Sequence, residues 1–173
     1  MEILIQAFGF GGILAAVIAF QCKKHKTILF WRTMNEFLFA VQYLLLGAYT
    51  GMAMNLVGCV RNIIFSHNVQ KQKNNLPFVL LFCLLFIGSG IYTWQGYASI
   101  FIIVAKLITT IAYGNRNTTI MRCCVLVTSS SWLVYNIFAG SQAGVLCEIF
   151  TLTSLVFGII RLDILPRIKK NKN

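Results

Sequence analysis

Apolar residues fall into seven runs, at 3–21, 30–47, 51–66, 76–93, 97–113, 121–139 and 143–161, separated by short polar or glycine-rich stretches. Each run approaches the roughly 20 residues that carry a helix across the hydrocarbon core of a bilayer. The pattern predicts an all-α integral membrane protein with seven transmembrane helices, forming a single membrane domain over 1–173.

Composition sharpens this reading. The chain is 58% hydrophobic and 11% charged, with a mean hydropathy of +0.76, far from the roughly quarter-charged mix of soluble domains. A net charge of +11 in a soluble protein would suggest nucleic acid, but here the charge is confined to particular loops, so no nucleic-acid partner is expected. All of the 15 Lys and Arg except Lys106 follow runs one, three, five and seven or sit close to those ends. The other connections carry none, and the positive-inside rule puts the basic side in the cytoplasm, with the N-terminus outside. Glu2 precedes the first run and Lys23, Lys24 and Lys26 follow it, the reverse of a cleaved signal peptide. Six cysteines show no CxxC pair and fall mostly in apolar runs, where thiols act as small hydrophobes, Cys123 and Cys124 included. His25 and His67 have no second ligand near them in sequence, so no metal and no cofactor are expected.

Sliding the chain on itself by 93 residues superposes the turn 47–51 on the turn 140–144, each beginning and ending in glycine. The same shift pairs Phe39 with Trp132, Tyr43 with Asn136, and Asn55 with Glu148. Repeat one then spans 3–66, a linker helix 76–93, repeat two 97–161, and a basic cytoplasmic tail 162–173. Two parallel three-helix bundles need an odd crossing between them, which gives a 3-1-3 plan of the kind used by transporters with parallel repeats.

This plan resembles that of the SWEET and PnuC transporters. The run Asn55-Leu56-Val57-Gly58-Cys59-Val60-Arg61-Asn62 and the run Trp132-Leu133-Val134-Tyr135-Asn136, with Gly140, Gly144 and Glu148 after it, resemble more closely the small bacterial inner membrane proteins of the YgjV type. The resemblance implies a multi-pass protein of the bacterial inner membrane. The only prolines, Pro77 and Pro166, lie at span ends, so a SWEET-type proline hinge and a PQ dipeptide are absent.

Charge at membrane depth is costly and marks functional candidates. Glu36 and Arg61 stand at similar depths and are expected to form a structural ion pair. Lys106 and Glu148 are expected within a lysine's reach of each other, either as a structural pair or as a substrate-binding or proton-coupled pair. Asn55, Gly58, Asn62 and Ser66 recur three and four apart on one helical face, which either packs against a neighbour or lines a cavity. Trp132, Tyr135 and Asn136 follow Ser129, Ser130 and Ser131; Trp132 either stacks on a planar solute or fills the core. Tyr92 and Trp94 sit at the outer boundary as interfacial anchors.

With no HExxH, GxSxG or clustered carboxylates, an enzyme is not expected. The function expected is transport of a small polar solute through a midplane cavity. Asn55, Asn62, Lys106, Trp132, Tyr135, Asn136 and Glu148 would bind the solute, with Glu148 holding a cationic group or carrying a proton. The alternative is a non-transporting receptor, chaperone or regulator on the same fold. Besides lipid and solute, a homo-oligomeric arrangement is compatible with the chain.

Overall fold

The computed structural model describes residues 2–22, 25–70, 76–114 and 118–160. Every regular element there is a helix: α1 (Glu2–Gln21), α2 (His25–Leu45), α3 (Tyr49–Gln70), α4 (Leu76–Tyr92), α5 (Ala98–Gly114), α6 (Thr118–Phe138) and α7 (Gln142–Ile159). Lys23, Lys24, Lys71, Lys73, Arg116, Arg161 and the tail, on which the charge-based orientation largely rests, lie outside the described residues.

Helices α2, α3 and α6 extend beyond the apolar runs at their polar ends. Hydropathy registers only the stretch suited to hydrocarbon, whereas backbone hydrogen bonding carries on through polar residues such as those at 25–27 and 67–70. By length and composition together, one helix among the described residues is apolar enough to cross a bilayer, over Glu2–Ala19 at a hydropathy of 1.9. Leu76–Tyr92, Ala98–Gly114, Cys123–Phe138 and Gln142–Phe157 are shorter apolar stretches. Helices α2 and α3 read as more polar because Arg32, Glu36, Asn55, Arg61 and Asn62 interrupt them.

Those interruptions point inward. Arg61 is 0% exposed and Asn62, Gln42, Thr50 and Thr110 are equally hidden, while Leu84 and Phe157 are each 69% exposed. A soluble domain sorts its residues the other way. Polar groups gathered inside an apolar shell suit a lipid surround, in which a buried polar group must find its partners within the protein.

Around this interior α1 packs on α2, α2 on α3, α3 on α5, α5 on α6, α6 on α7, and α7 back on α1. Helix α4 stands outside that ring, against α3 and α5. It is held there by Phe82, edge-to-face with Phe65 at 5.9 Å, and by Phe86, which is wholly buried.

The two glycine turns adopt one conformation. Gly47 (φ +72°) and Gly140 (φ +68°) both occupy the left-handed region. The amide of Ala48 donates to Tyr43 O (2.8 Å) and that of Gly47 to Leu44 O (3.1 Å); Ser141 donates to Asn136 O (3.0 Å) and Gly140 to Ile137 O (3.3 Å). This is the Schellman closure of a helix, formed twice. A Cβ at either glycine would meet nothing within 4 Å, so the requirement lies in the backbone alone. Gly47→Ala and Gly140→Ala should therefore each lower stability by about 1 kcal/mol, with no clash added. Thermal unfolding of each variant in detergent checks this; a neutral result at either position would contradict it.

Candidate functional site

The polar interior centres on Glu36. Its Oε1 accepts Arg61 Nη2 at 3.1 Å and lies 3.2 Å from Lys106 Nζ, so one carboxylate oxygen serves cations from α3 and α5. Gly58 makes this possible: a Cβ there would overlap the Glu36 carboxylate and crowd Lys106 Nζ. On a face where Asn55, Gly58 and Asn62 follow at helical spacing, the glycine is the seat for a side chain from α2.

Arg61 is held on every side. Its Nε and Nη2 donate to Asn62 Oδ1 at 3.1 and 2.9 Å, and its Nη1 donates to Thr109 Oγ1 and Thr110 Oγ1 at 3.3 and 3.1 Å. Its guanidinium carbon stands 4.9 Å from the Tyr113 ring centroid and 5.5 Å from that of Phe86. Lys106 Nζ lies 5.2 Å from the Trp132 centroid and 5.9 Å from that of Phe86. Aromatic faces therefore receive the part of each cation that the carboxylate does not cover.

Beside this cluster is a cavity of about 50 Å³, with room for about three or four water molecules. Asn55, Lys106, Trp132, Asn136 and Glu148 line it, together with Glu36, Arg32, Tyr43 and Ser129. Five of the seven solute-binding candidates thus share one cavity.

The other two do not line it. Asn62 turns its carbonyl oxygen to Arg61 and acts on that guanidinium. Tyr135 is bonded elsewhere: its Oη accepts the Gly51 amide at 2.8 Å, and its ring meets those of Tyr43 and Trp132 edge-on at 5.8 and 5.7 Å. The Lys106–Glu148 pairing also needs correction. Lys106 reaches across to Glu36 on α2, which already carries Arg61, and no salt bridge to Glu148 forms among the described residues. Ser129 instead lines the cavity alongside Glu148.

Arg32 is the residue that sequence reasoning misplaced. Counted with the basic loop, it lies inside α2 and donates Nε to Tyr113 Oη at 3.1 Å. Its position four residues before Glu36, on the same helical face, was the available signal.

Towards the glycine turns the contacts become neutral. Tyr43 Oη donates to Asn136 Oδ1 at 2.5 Å, and the Tyr43 and Trp132 rings stack with centroids 6.1 Å apart. Ser141 Oγ donates to Gln42 Oε1 at 3.1 Å while accepting the Gly144 amide at 3.0 Å as the cap of α7. Gln95 ties the α4–α5 connection to the first turn, accepting from Thr50 N and donating to Gly47 O; the Thr50 hydroxyl donates to Thr93 O. No group of three or more metal-binding side chains forms among the described residues.

The shared carboxylate makes the three charges unequal. Glu36→Gln strands Arg61 and Lys106 together and should cost about 3–5 kcal/mol. Lys106→Met leaves Glu36 with Arg61 and should cost much less. Unfolding of the two variants side by side reads the difference, and equal losses would refute the shared-carboxylate account.

The model of the Imp-YgjV family, described as "Bacterial inner membrane protein", matches residues 3–164. Inner membrane protein YgjV of Escherichia coli (strain K12) is 22% identical over 145 residues, covering 84% of this chain and 76% of that protein. No solved structure matches the chain. With nearly its whole length matched, and with charges buried inside an apolar exterior, the chain belongs to the YgjV family of bacterial inner membrane proteins.

Proposed function

We propose that this protein carries a small polar solute across the inner membrane by the rocking of two three-helix bundles, α1–α3 and α5–α7, linked by α4. The packing order supports the 3-1-3 plan: within the ring, α3 against α5 and α7 against α1 are equivalent junctions, and the repeated turns occupy equivalent places. The N-terminus is assigned to the outside and the basic tail to the cytoplasm, on the charge pattern alone.

The observation that carries the proposal is the pairing of Lys106 with Glu36 across the two bundles, in a cavity lined from both. Charges buried there form a surface a polar solute can bind. Glu36 Oε2 is buried and accepts no hydrogen bond among the described residues, and Asn55 and Asn136 add amides. At about 50 Å³ the cavity is far below the roughly 300–1,000 Å³ of pockets that hold organic ligands. In the transport reading this is the occluded form, which enlarges when the bundles part.

The same small volume supports a second reading, a non-transporting regulator whose seam stays shut. Thermal stability of the purified protein, screened against nucleosides, sugars, vitamins and amino acids, separates the two. A carrier should be stabilised by about 2.7 kcal/mol when a solute is present at 100 times its Kd. Cells expressing the chain should accumulate that solute, and the Asn55→Ala, Glu148→Ala pair should abolish the uptake. A protein that no solute stabilises and whose removal changes no uptake is the regulator.

A further inference from the structure

We infer that Glu148 is the proton-exchanging carboxyl of this cavity, while Glu36 is a fixed anion. The inference rests on the cavity described above and names the ion to which a carrier of this design would be coupled. The two acids line one space but differ in what a proton would do to their neighbours. Protonating Glu36 would remove the shared counter-ion of Arg61 and Lys106, both buried, and two cations would be left unpaired in apolar surroundings.

Protonating Glu148 breaks no ion pair among the described residues. The groups facing it are few. Ser129 on α6 lines the cavity with it, and a hydroxyl can donate to a carboxylate or accept from a carboxylic acid. Lys106 and Tyr113 on α5, Arg32 and Tyr43 on α2 and Cys147 beside it on α7 line the same cavity. Lys106 is engaged with Glu36, and Arg32 donates to Tyr113. From α1, Gly9 faces Ala143, and Ile13, Ala16 and Val17 line a hollow shared with α7. Glu148 can thus change charge with its surroundings in place.

The cavity beside Glu148, lined from α2 by residues between Arg32 and Tyr43, has room for a few waters that can deliver a proton. Taking up a proton raises the charge of the cluster by one. An anionic solute group would then bind together with the proton, and a cationic group would compete with it.

The test needs no solute, so its outcome is independent of whether transport is found. Infrared spectra of the full chain in lipid vesicles are recorded across a pH series, following the C=O band of a protonated carboxyl group. Glu2 and Asp163 add a titrating component common to every variant; a further component should grow and fade with pH in the native chain and in Glu36→Gln, and should be lost in Glu148→Gln. Ser129→Ala, which leaves the acid in place, should shift both the band frequency and the titration midpoint. A native chain whose titrating band matches that of Glu148→Gln, or a band unmoved by Ser129→Ala, would each overturn the inference. Should Glu148→Gln fail to fold, the Ser129→Ala shift decides.

Discussion

One constraint organises the molecule: a charge taken into apolar surroundings must be met by a partner on the same chain. Glu36 meets two at once, and so fixes the positions of three helices. Its own helix, α2, must approach α3 closely enough for Gly58 to receive the carboxylate, and α5 must stand where both Lys106 and the Thr109 and Thr110 hydroxyls face inward. The external helix follows from the same demand. Phe86 of α4 lies against the guanidinium and the ammonium, covering a side of the cluster that would otherwise face lipid.

Interactions change character along the seam. Near Glu36 the helices are joined by charges, and near the glycine turns by neutral bonds: Tyr43 to Asn136, Ser141 to Gln42, and Gly51 to Tyr135. A neutral hydrogen bond contributes about 0.5–1.5 kcal/mol net, since water or another partner can replace it, whereas separating a buried ion pair costs several times more. If the bundles rock as proposed, the turn end is the gate and the charged cluster the pivot. Part of that cluster can still yield, because Glu36 keeps Arg61 when Lys106 leaves.

Seven helices and their order are legible in the sequence because hydropathy reports directly on lipid contact, and the left-handed turns are legible because only glycine takes that conformation cheaply. Counting turns also places Glu36 and Arg61 at one depth, and the two are 3.1 Å apart. The partner of Lys106 is not legible in the same way. Depth along an axis says nothing of which neighbouring helix a lysine faces, and α3 packs directly on α5, which brings Lys106 to the Glu36–Arg61 pair. Arg32 was misread because a basic residue near a basic loop carries the same hydropathy signal whether it faces water or the interior. Asn62 and Tyr135 read as solute-binding candidates because the sequence does not distinguish a partner on the backbone or on Arg61 from one in a cavity.

The two halves of the proposed 3-1-3 plan are chemically unequal, and the inequality is what lets them bind each other. Tyr43 and Asn136 occupy matching positions 93 residues apart and meet directly, hydroxyl donor to carbonyl acceptor. Identical residues there would offer two phenols or two amides, without that fixed assignment of donor and acceptor. The same division recurs deeper in the seam. Asn55 stands where the other half has Glu148, and both line the cavity, so an amide whose charge does not change shares the space with an acid that can exchange a proton. Two such acids would repel across a space of about 50 Å³ unless one were neutralised. With one amide and one acid, the cavity's charge can be set by a single group.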